Sequence, residues 1–197
     1  MMEKEQRNNK GEIRAIDENT ISGYCVRFNE ESLDMGFIET IEKGAVNQEV
    51  IDKSDVFCLF NHDDDMVLGR SLYNKGNLKL SVDENGVKYE CKLLDNELAN
   101  MVRSYIQAGL VDTSSFAFSI DPEDEKAQEW KRLPDGTITR TIRKIDRLYD
   151  ASPVWSASYP TTSCSCRAFD EFKKADEKRN AERKAEYDEY RQKINSL

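Results

Sequence analysis

Short runs in which apolar and polar residues alternate fill the chain from about residue 20 to residue 160. Alternation places every second side chain on the same face of a β-strand, so the pattern predicts an antiparallel β domain. The clearest case is a hairpin, in which 78–82 and 87–93 alternate on either side of the turn sequence DENG. The other predicted strands are ISGYCVRF, GFIETI, DVFCLF, SFAFSI, TITRTIRKI and YDASPVWS.

One helix interrupts the predicted strands, because apolar residues recur at helical spacing between Asp95 and Gly109. Asp95 is the predicted N-cap, and Gly109 is the predicted stop signal. A shorter helix is predicted near GAVNQEVID. These elements predict an α+β fold, with a mostly antiparallel sheet or barrel and a few helices.

Changes in composition divide the chain into three predicted parts. Residues 1–19 form a polar segment, residues 20–166 form the β domain, and residues 167–197 form a charged tail without Gly or Pro. Basic and acidic residues are interleaved in this tail, which is typical of a solvated helix. A narrow stripe that includes Tyr187 and Tyr190 leaves open that the tail docks on a partner helix.

Charge and cysteine usage exclude several classes of function. The net charge is -9, without a basic block in the first 166 residues, which argues against nucleic acid as a partner. No apolar run approaches the roughly 18 residues of a membrane helix, so we expect no membrane partner and a cytosolic protein.

The five cysteines are an odd number, so a disulfide framework is not expected. Cys58 and Cys91 are predicted core residues. Cys164 and Cys166 lack zinc-knuckle spacing, and we predict no metal and no cofactor.

The sequence DTSSFAFSI follows the predicted helix and separates large from small side chains. Strand geometry places Phe116, Phe118 and Ile120 on one face and Ser115, Ala117 and Ser119 on the other. The aromatic row predicts a core face. The small face fits either close packing against a second sheet, which the residues alone favour, or a site where a serine meets a substrate.

The single histidine, His62, lies in CLFNHDDDMVLGR, directly after a predicted strand. A serine becomes a good nucleophile when a base removes its proton, and in a histidine-assisted hydrolase that base can only be His62. Ser115 is the candidate nucleophile. Two alternatives stay open: an ordinary surface histidine, and a metal-dependent hydrolase that uses the neighbouring aspartates, although these lack the glycine and glutamate of an EF-hand loop.

Seven segments in order extend these observations: GYCVRFNEES, GFIETIEKGAV, LFNHD, VLGRS, NLKLSVDENGVKYECKL, IQAGLVDTSSFAFSI and RTIRKIDRLYDASPVWSASYPTT. From about residue 20 to residue 167 the chain resembles the prohead maturation proteases of tailed bacteriophages. That family typically shows Asn-His-Asp, Leu-Gly-Arg, Ser-Phe-Gly-Phe after a helix that ends in Gly, and Glu-Val-Ser-Pro-Val before Pro-Ala-Tyr-Pro. Here Ala117 replaces the usual Gly, and WSASYP replaces the last motif.

The resemblance implies a serine endopeptidase of the herpesvirus-assemblin-like fold, a β-barrel core surrounded by helices. It implies that His62 is the general base and Ser115 the nucleophile. Asp150, where the family usually has Glu, is the candidate third member, and its shorter side chain raises the question of whether it reaches His62. Arg140 and Arg143 are suggested as helpers of an oxyanion hole that backbone amides commonly form.

The resemblance also implies the partners and the place of action. The expected substrates are the scaffolding segment of the major capsid protein or a separate scaffold protein. The protease itself is a further expected partner, both as a substrate in autoprocessing and as the second subunit of a homodimer. The expected location is the immature prohead in the host cytoplasm. The competing hypothesis is a catalytically silent protease-like domain that acts as an internal scaffold or assembly protein.

Overall fold

The structure is a computed structural model that describes residues 4–9, 13–17, 19–155 and 163–195. The chain divides into two compact units, Met1–Pro160 and Thr161–Leu197. The helices are α1 (Gln48–Lys53), α2 (Glu97–Gln107) and α3 (Ser163–Asn195), and a turn of 3₁₀ helix spans Phe60–His62. The strands are β1 (Glu5–Asn9), β2 (Arg14–Ala15), β3 (Thr20–Arg27), β4 (Ile38–Ile41), β5 (Asp55–Leu59), β6 (Val67–Leu72), β7 (Lys75–Gly76), β8 (Leu78–Val82), β9 (Gly86–Lys92), β10 (Thr113–Ser119), β11 (Gln128–Arg132), β12 (Ile138–Ile142) and β13 (Arg147–Val154).

The described strands form three sheets. The largest has the order β1-β10-β13-β5-β6-β7, a second has the order β2-β3-β9-β8, and a third has the order β11-β12-β4. Neighbours are antiparallel except for β12 with β4 and β13 with β5. These sheets confirm the α+β class. All three are open within the described residues, so the predicted barrel is not confirmed.

Local sequence signals explain where most elements begin and end. The predicted hairpin forms as β8 and β9, paired from Leu78 opposite Cys91 to Val82 opposite Val87. Helix α2 ends before Gly109, which has a φ of 70° and so adopts a left-handed conformation that glycine tolerates.

The N-cap of α2 differs from the prediction. Asn96 rather than Asp95 caps the helix, because its side chain accepts a hydrogen bond of 2.8 Å from the Ala99 N–H. Asp95 lies one residue too early to reach that donor.

The core lies against β10, as the alternation predicts. Phe116 and Phe118 are fully buried and stack with ring centroids 5.1 Å apart. Ser114, on the same face, bonds through Oγ to the Tyr89 hydroxyl at 3.0 Å. A Cβ at Gly23 of β3 would lie 2.8 Å from that Oγ, so the second sheet approaches β10 closely on this face.

Cysteines in the body behave as core residues. Cys58 and Cys91 are fully buried, as predicted. Cys25 is also buried, and this burial raises the pKa of its thiol to about 12, so the thiol stays protonated. The side chains of Cys164 and Cys166 lie outside the described residues.

The charged tail forms α3, whose described side chains are mostly exposed. None of the described helices is long and apolar enough to cross a membrane.

Candidate active site

Three neighbouring strands of the six-stranded sheet bring the candidate residues together. Ser115 lies in the middle of β10, Asp150 lies in β13, and His62 ends the turn that follows β5. Across the β10–β13 pair, Ala117 is directly opposite Asp150. Side chains two apart share a face, so Ser115 and Asp150 project from the same side of the sheet.

The side chains form a continuous series from carboxylate to hydroxyl. His62 Nε2 lies 2.5 Å from Ser115 Oγ, and His62 Nδ1 lies 2.8 Å from Asp150 Oδ1. Asp150 therefore reaches the imidazole despite being one methylene shorter than Glu. The Nδ1 separation is an ion-pair distance, but the N–H is not aligned for a hydrogen bond to any described residue. Such bonds are often poorly aligned in enzymes without substrate.

The Ser115 hydroxyl has a second acceptor within reach. Its Oγ lies 2.7 Å from the carbonyl oxygen of Arg7 in β1, the edge strand paired along β10. The hydroxyl carries one proton, so it donates either to this carbonyl or to Nε2 of His62. Ser115 is fully buried in this arrangement.

Two further side chains contact the buried carboxylate of Asp150. Ser152 donates a hydrogen bond of 2.9 Å to Oδ1, and the Lys4 ammonium lies 3.3 Å from Oδ2. Sequence reasoning missed both residues. The spacing of Asp150 and Ser152 places them on one strand face, and this signal could have identified Ser152. Nothing in the sequence marks Lys4, because its position depends on the pairing of β1 with β10.

The backbone at the histidine is strained. Asn61 and His62 have φ values of 55° and 58°, in the left-handed region that few non-glycine residues adopt, although Asn tolerates it best. The Asn61 side chain accepts a hydrogen bond of 3.3 Å from the Trp155 N–H. The buried Phe60 ring packs edge-on against Trp155 at 5.1 Å. These contacts hold the turn that directs the imidazole toward Ser115.

The two suggested oxyanion helpers are engaged elsewhere. Arg140 is 1% exposed, and its guanidinium bonds to Glu5 and Glu39 at 2.6–2.8 Å. Arg143 pairs with Glu129 at 2.6 Å on the surface. Neither arginine is assigned to the site.

Two further sequence features are the acidic run after His62 and the segment 156–160. No group of three or more His, Cys, Asp or Glu side chains in the described part of the chain is arranged to hold a metal ion. The segment 156–160, where the sequence departs from the usual Pro-Ala-Tyr-Pro, lies outside the described residues.

The chain is similar to known phage proteins in sequence family and in fold. The family described as caudovirus prohead serine protease matches residues 6–175. The solved structure of the capsid assembly protease of bacteriophage T4 is similar in fold, with a TM-score of 0.54 and 10% sequence identity over 78% of this chain and 98% of that chain. A sequence comparison with curated proteins finds no match. Because the family match covers most of the chain, this protein belongs to the caudovirus prohead serine protease family.

Proposed function

We propose that the protein is a serine endopeptidase in which Ser115 is the nucleophile, His62 the general base and Asp150 the residue that orients the imidazole. The observation that carries this proposal is the series of contacts from Ser115 Oγ through both His62 nitrogens to Asp150 Oδ1. Its order of hydroxyl, imidazole and carboxylate is that of the serine protease triad. Family membership supports the same reaction.

The geometry supports acyl transfer in two steps. Ser115 Oγ attacks the scissile carbonyl carbon while its proton passes to His62 Nε2, and the imidazolium then gives that proton to the leaving amine. Water next attacks the acyl-enzyme, and His62 accepts its proton and returns one to Ser115. The Asp150 carboxylate, which is 0% exposed, stabilises the imidazolium that forms in both steps.

The substrates we propose are capsid and scaffold proteins and the protease itself. The family assignment to prohead proteases and the fold shared with a capsid assembly protease support this choice. The reaction would take place inside the immature prohead in the host cytoplasm. Premature cleavage would destroy the scaffold, so we expect low activity in dilute solution and higher activity in assembled heads.

The mass of the intact protein after incubation with a fluorophosphonate tests the proposal. Ser115 Oγ would displace fluoride from phosphorus, and we expect a single adduct on wild type. This adduct is covalent, so it accumulates even when the buried hydroxyl is open to solvent for a small fraction of the time. Ser115→Ala and His62→Ala should show no adduct.

The matched control is Ser114→Ala, because Ser114 is adjacent in sequence but faces Tyr89 in the core. This variant should be labelled like wild type. If Ser114→Ala alone lost labelling, Ser114 rather than Ser115 would be the reactive serine. Absence of an adduct on wild type would contradict the proposal and favour the silent scaffold domain.

Replacing Asp150 with asparagine is expected to lower kcat about 10⁴-fold, because an amide facing Nδ1 favours the wrong imidazole tautomer and cannot stabilise the imidazolium. The rate of scaffold protein cleavage measures this effect. Asp146→Asn is the control, since Asp146 precedes the same strand but pairs with Lys53 at 3.4 Å instead. Wild-type kcat in Asp150→Asn would remove Asp150 from the mechanism.

A further inference from the structure

Ser152 occupies a central position among the candidate catalytic residues. It lies in β13 directly opposite Ser115 of β10. It also follows Asp150 by two residues, so both side chains project from one face of the strand. Its exposure is 0%.

The Ser152 hydroxyl bridges the strand of the acid and the strand that leads to the base. Its Oγ donates to Asp150 Oδ1 at 2.9 Å and accepts from the Leu59 N–H at 3.4 Å. Leu59 is the last residue of β5 and precedes the turn that carries His62. The backbones of β13 and β5 pair at Asp150 and Phe57. The hydroxyl therefore links the two strands beyond that pair, where the chain turns toward the imidazole.

We propose that Ser152 is a positioning residue, which fixes the plane of the Asp150 carboxylate and the start of the His62 turn. This inference rests on the proposed protease function. Oδ1 of Asp150 accepts the hydrogen bond from Ser152 on one side and lies 2.8 Å from His62 Nδ1 on the other. Without the Ser152 hydrogen bond, the carboxylate can rotate about its terminal torsion, which is broad for Asp. Rotation would move Oδ1 away from Nδ1.

Packing alone does not require a hydroxyl at this position. Alanine has nearly the same volume as serine and would preserve the β10–β13 hydrogen bonds, which use the backbone. Two buried polar groups would lose a partner in that case: the Asp150 carboxylate and the Leu59 N–H. Groups around a reactive site that orient its members typically change activity 10–100-fold when removed, as outer-shell residues of metal sites do.

The first test measures cleavage and fluorophosphonate labelling of the full chain with Ser152→Ala and Ser152→Thr. Ser152→Ala is expected to lower kcat and the labelling rate constant about 10–100-fold with KM unchanged, because Ser152 orients the acid without touching the substrate. Ser152→Thr keeps the hydroxyl and should restore most of the rate. Ser71→Ala is the control, since Ser71 is 1% exposed and its Oγ bonds to none of the described residues.

The second test uses the fact that the chain has one histidine, so a downfield Nδ1–H proton resonance belongs to His62. The resonance requires the 2.8 Å contact between His62 Nδ1 and Asp150 Oδ1 to be an aligned hydrogen bond in solution. We expect it in wild type, Ser152→Thr and Ser71→Ala, and its loss by solvent exchange in Ser152→Ala. Wild-type kinetics and an unchanged resonance in Ser152→Ala would overturn the proposal. So would a slower Ser152→Ala that keeps the resonance. If wild type forms no adduct, the protease function fails, and the resonance alone decides the role of Ser152.

Discussion

Replacing His62 with alanine is expected to lower kcat for scaffold protein cleavage by about 10⁶-fold, the loss seen when the base of a Ser–His pair is removed. The Nε2 atom lies 2.5 Å from Ser115 Oγ, so it is placed to take the hydroxyl proton during attack. No second histidine exists in the chain to substitute for it. Single-turnover cleavage measures the chemical step without product release.

The double variant His62→Ala/Ser115→Ala should lose no more activity than either single variant, because the two residues act as one unit. Asp64→Ala is the matched control, since Asp64 is exposed in the same loop. It should keep wild-type kcat, and a chelator should have no effect. Loss of activity in Asp64→Ala and with a chelator, together with an active His62→Ala, would instead support the metal-dependent hydrolase.

Local periodicity made the strand that carries the candidate nucleophile predictable. Alternation in DTSSFAFSI separated Ser115 from Ser114, and the structure places Ser114 against Tyr89 and Ser115 against His62. A strand has only two faces, so once the aromatic residues are placed on the buried face, the residues between them must lie on the opposite face. The single histidine of the chain limited the choice of a candidate base to His62.

The pairing of strands that lie far apart in sequence could not be predicted from the sequence. The segment EQRNN has no apolar alternation, yet it forms β1, because its backbone pairs with β10 and its Arg7 and Glu5 side chains join Glu39 and Arg140. Sequence alone suggests Arg140 as a helper of the oxyanion hole, whereas the structure pairs it with the carboxylate of Glu5, 135 residues away in sequence. Closure of a sheet into a barrel depends on the same kind of information, namely which edge strands meet.

The contacts of the Ser152 hydroxyl depend both on local sequence spacing and on long-range strand pairing. Its spacing from Asp150 is a local signal that predicts a shared strand face. Its bond to the Leu59 N–H, 93 residues away, follows only from the order of β13 and β5 in the sheet.

Arg140→Met is expected to lower the free energy of unfolding by about 3–5 kcal/mol at pH 7, because it leaves the carboxylates of Glu5 and Glu39 buried with one guanidinium instead of two. Glu5, Glu39 and Arg140 are 4%, 3% and 1% exposed, so water cannot replace the lost partner. Urea denaturation measures the change. Arg143→Met is the matched control, because its exposed ion pairs should contribute about 1 kcal/mol or less.

The pH dependence separates this electrostatic effect from lost packing. Burial alone would raise the pKa of Glu5, but hydrogen bonds and charge from Arg140, and then from Arg7, outweigh burial and lower it. The stabilisation is therefore complete above the unfolded pKa of about 4.3 and is lost as pH falls through the lower folded value. The deficit of Arg140→Met should accordingly shrink below about pH 4. A deficit that is constant from pH 7 to pH 3 would show that Arg140 stabilises the fold by packing rather than by its charge.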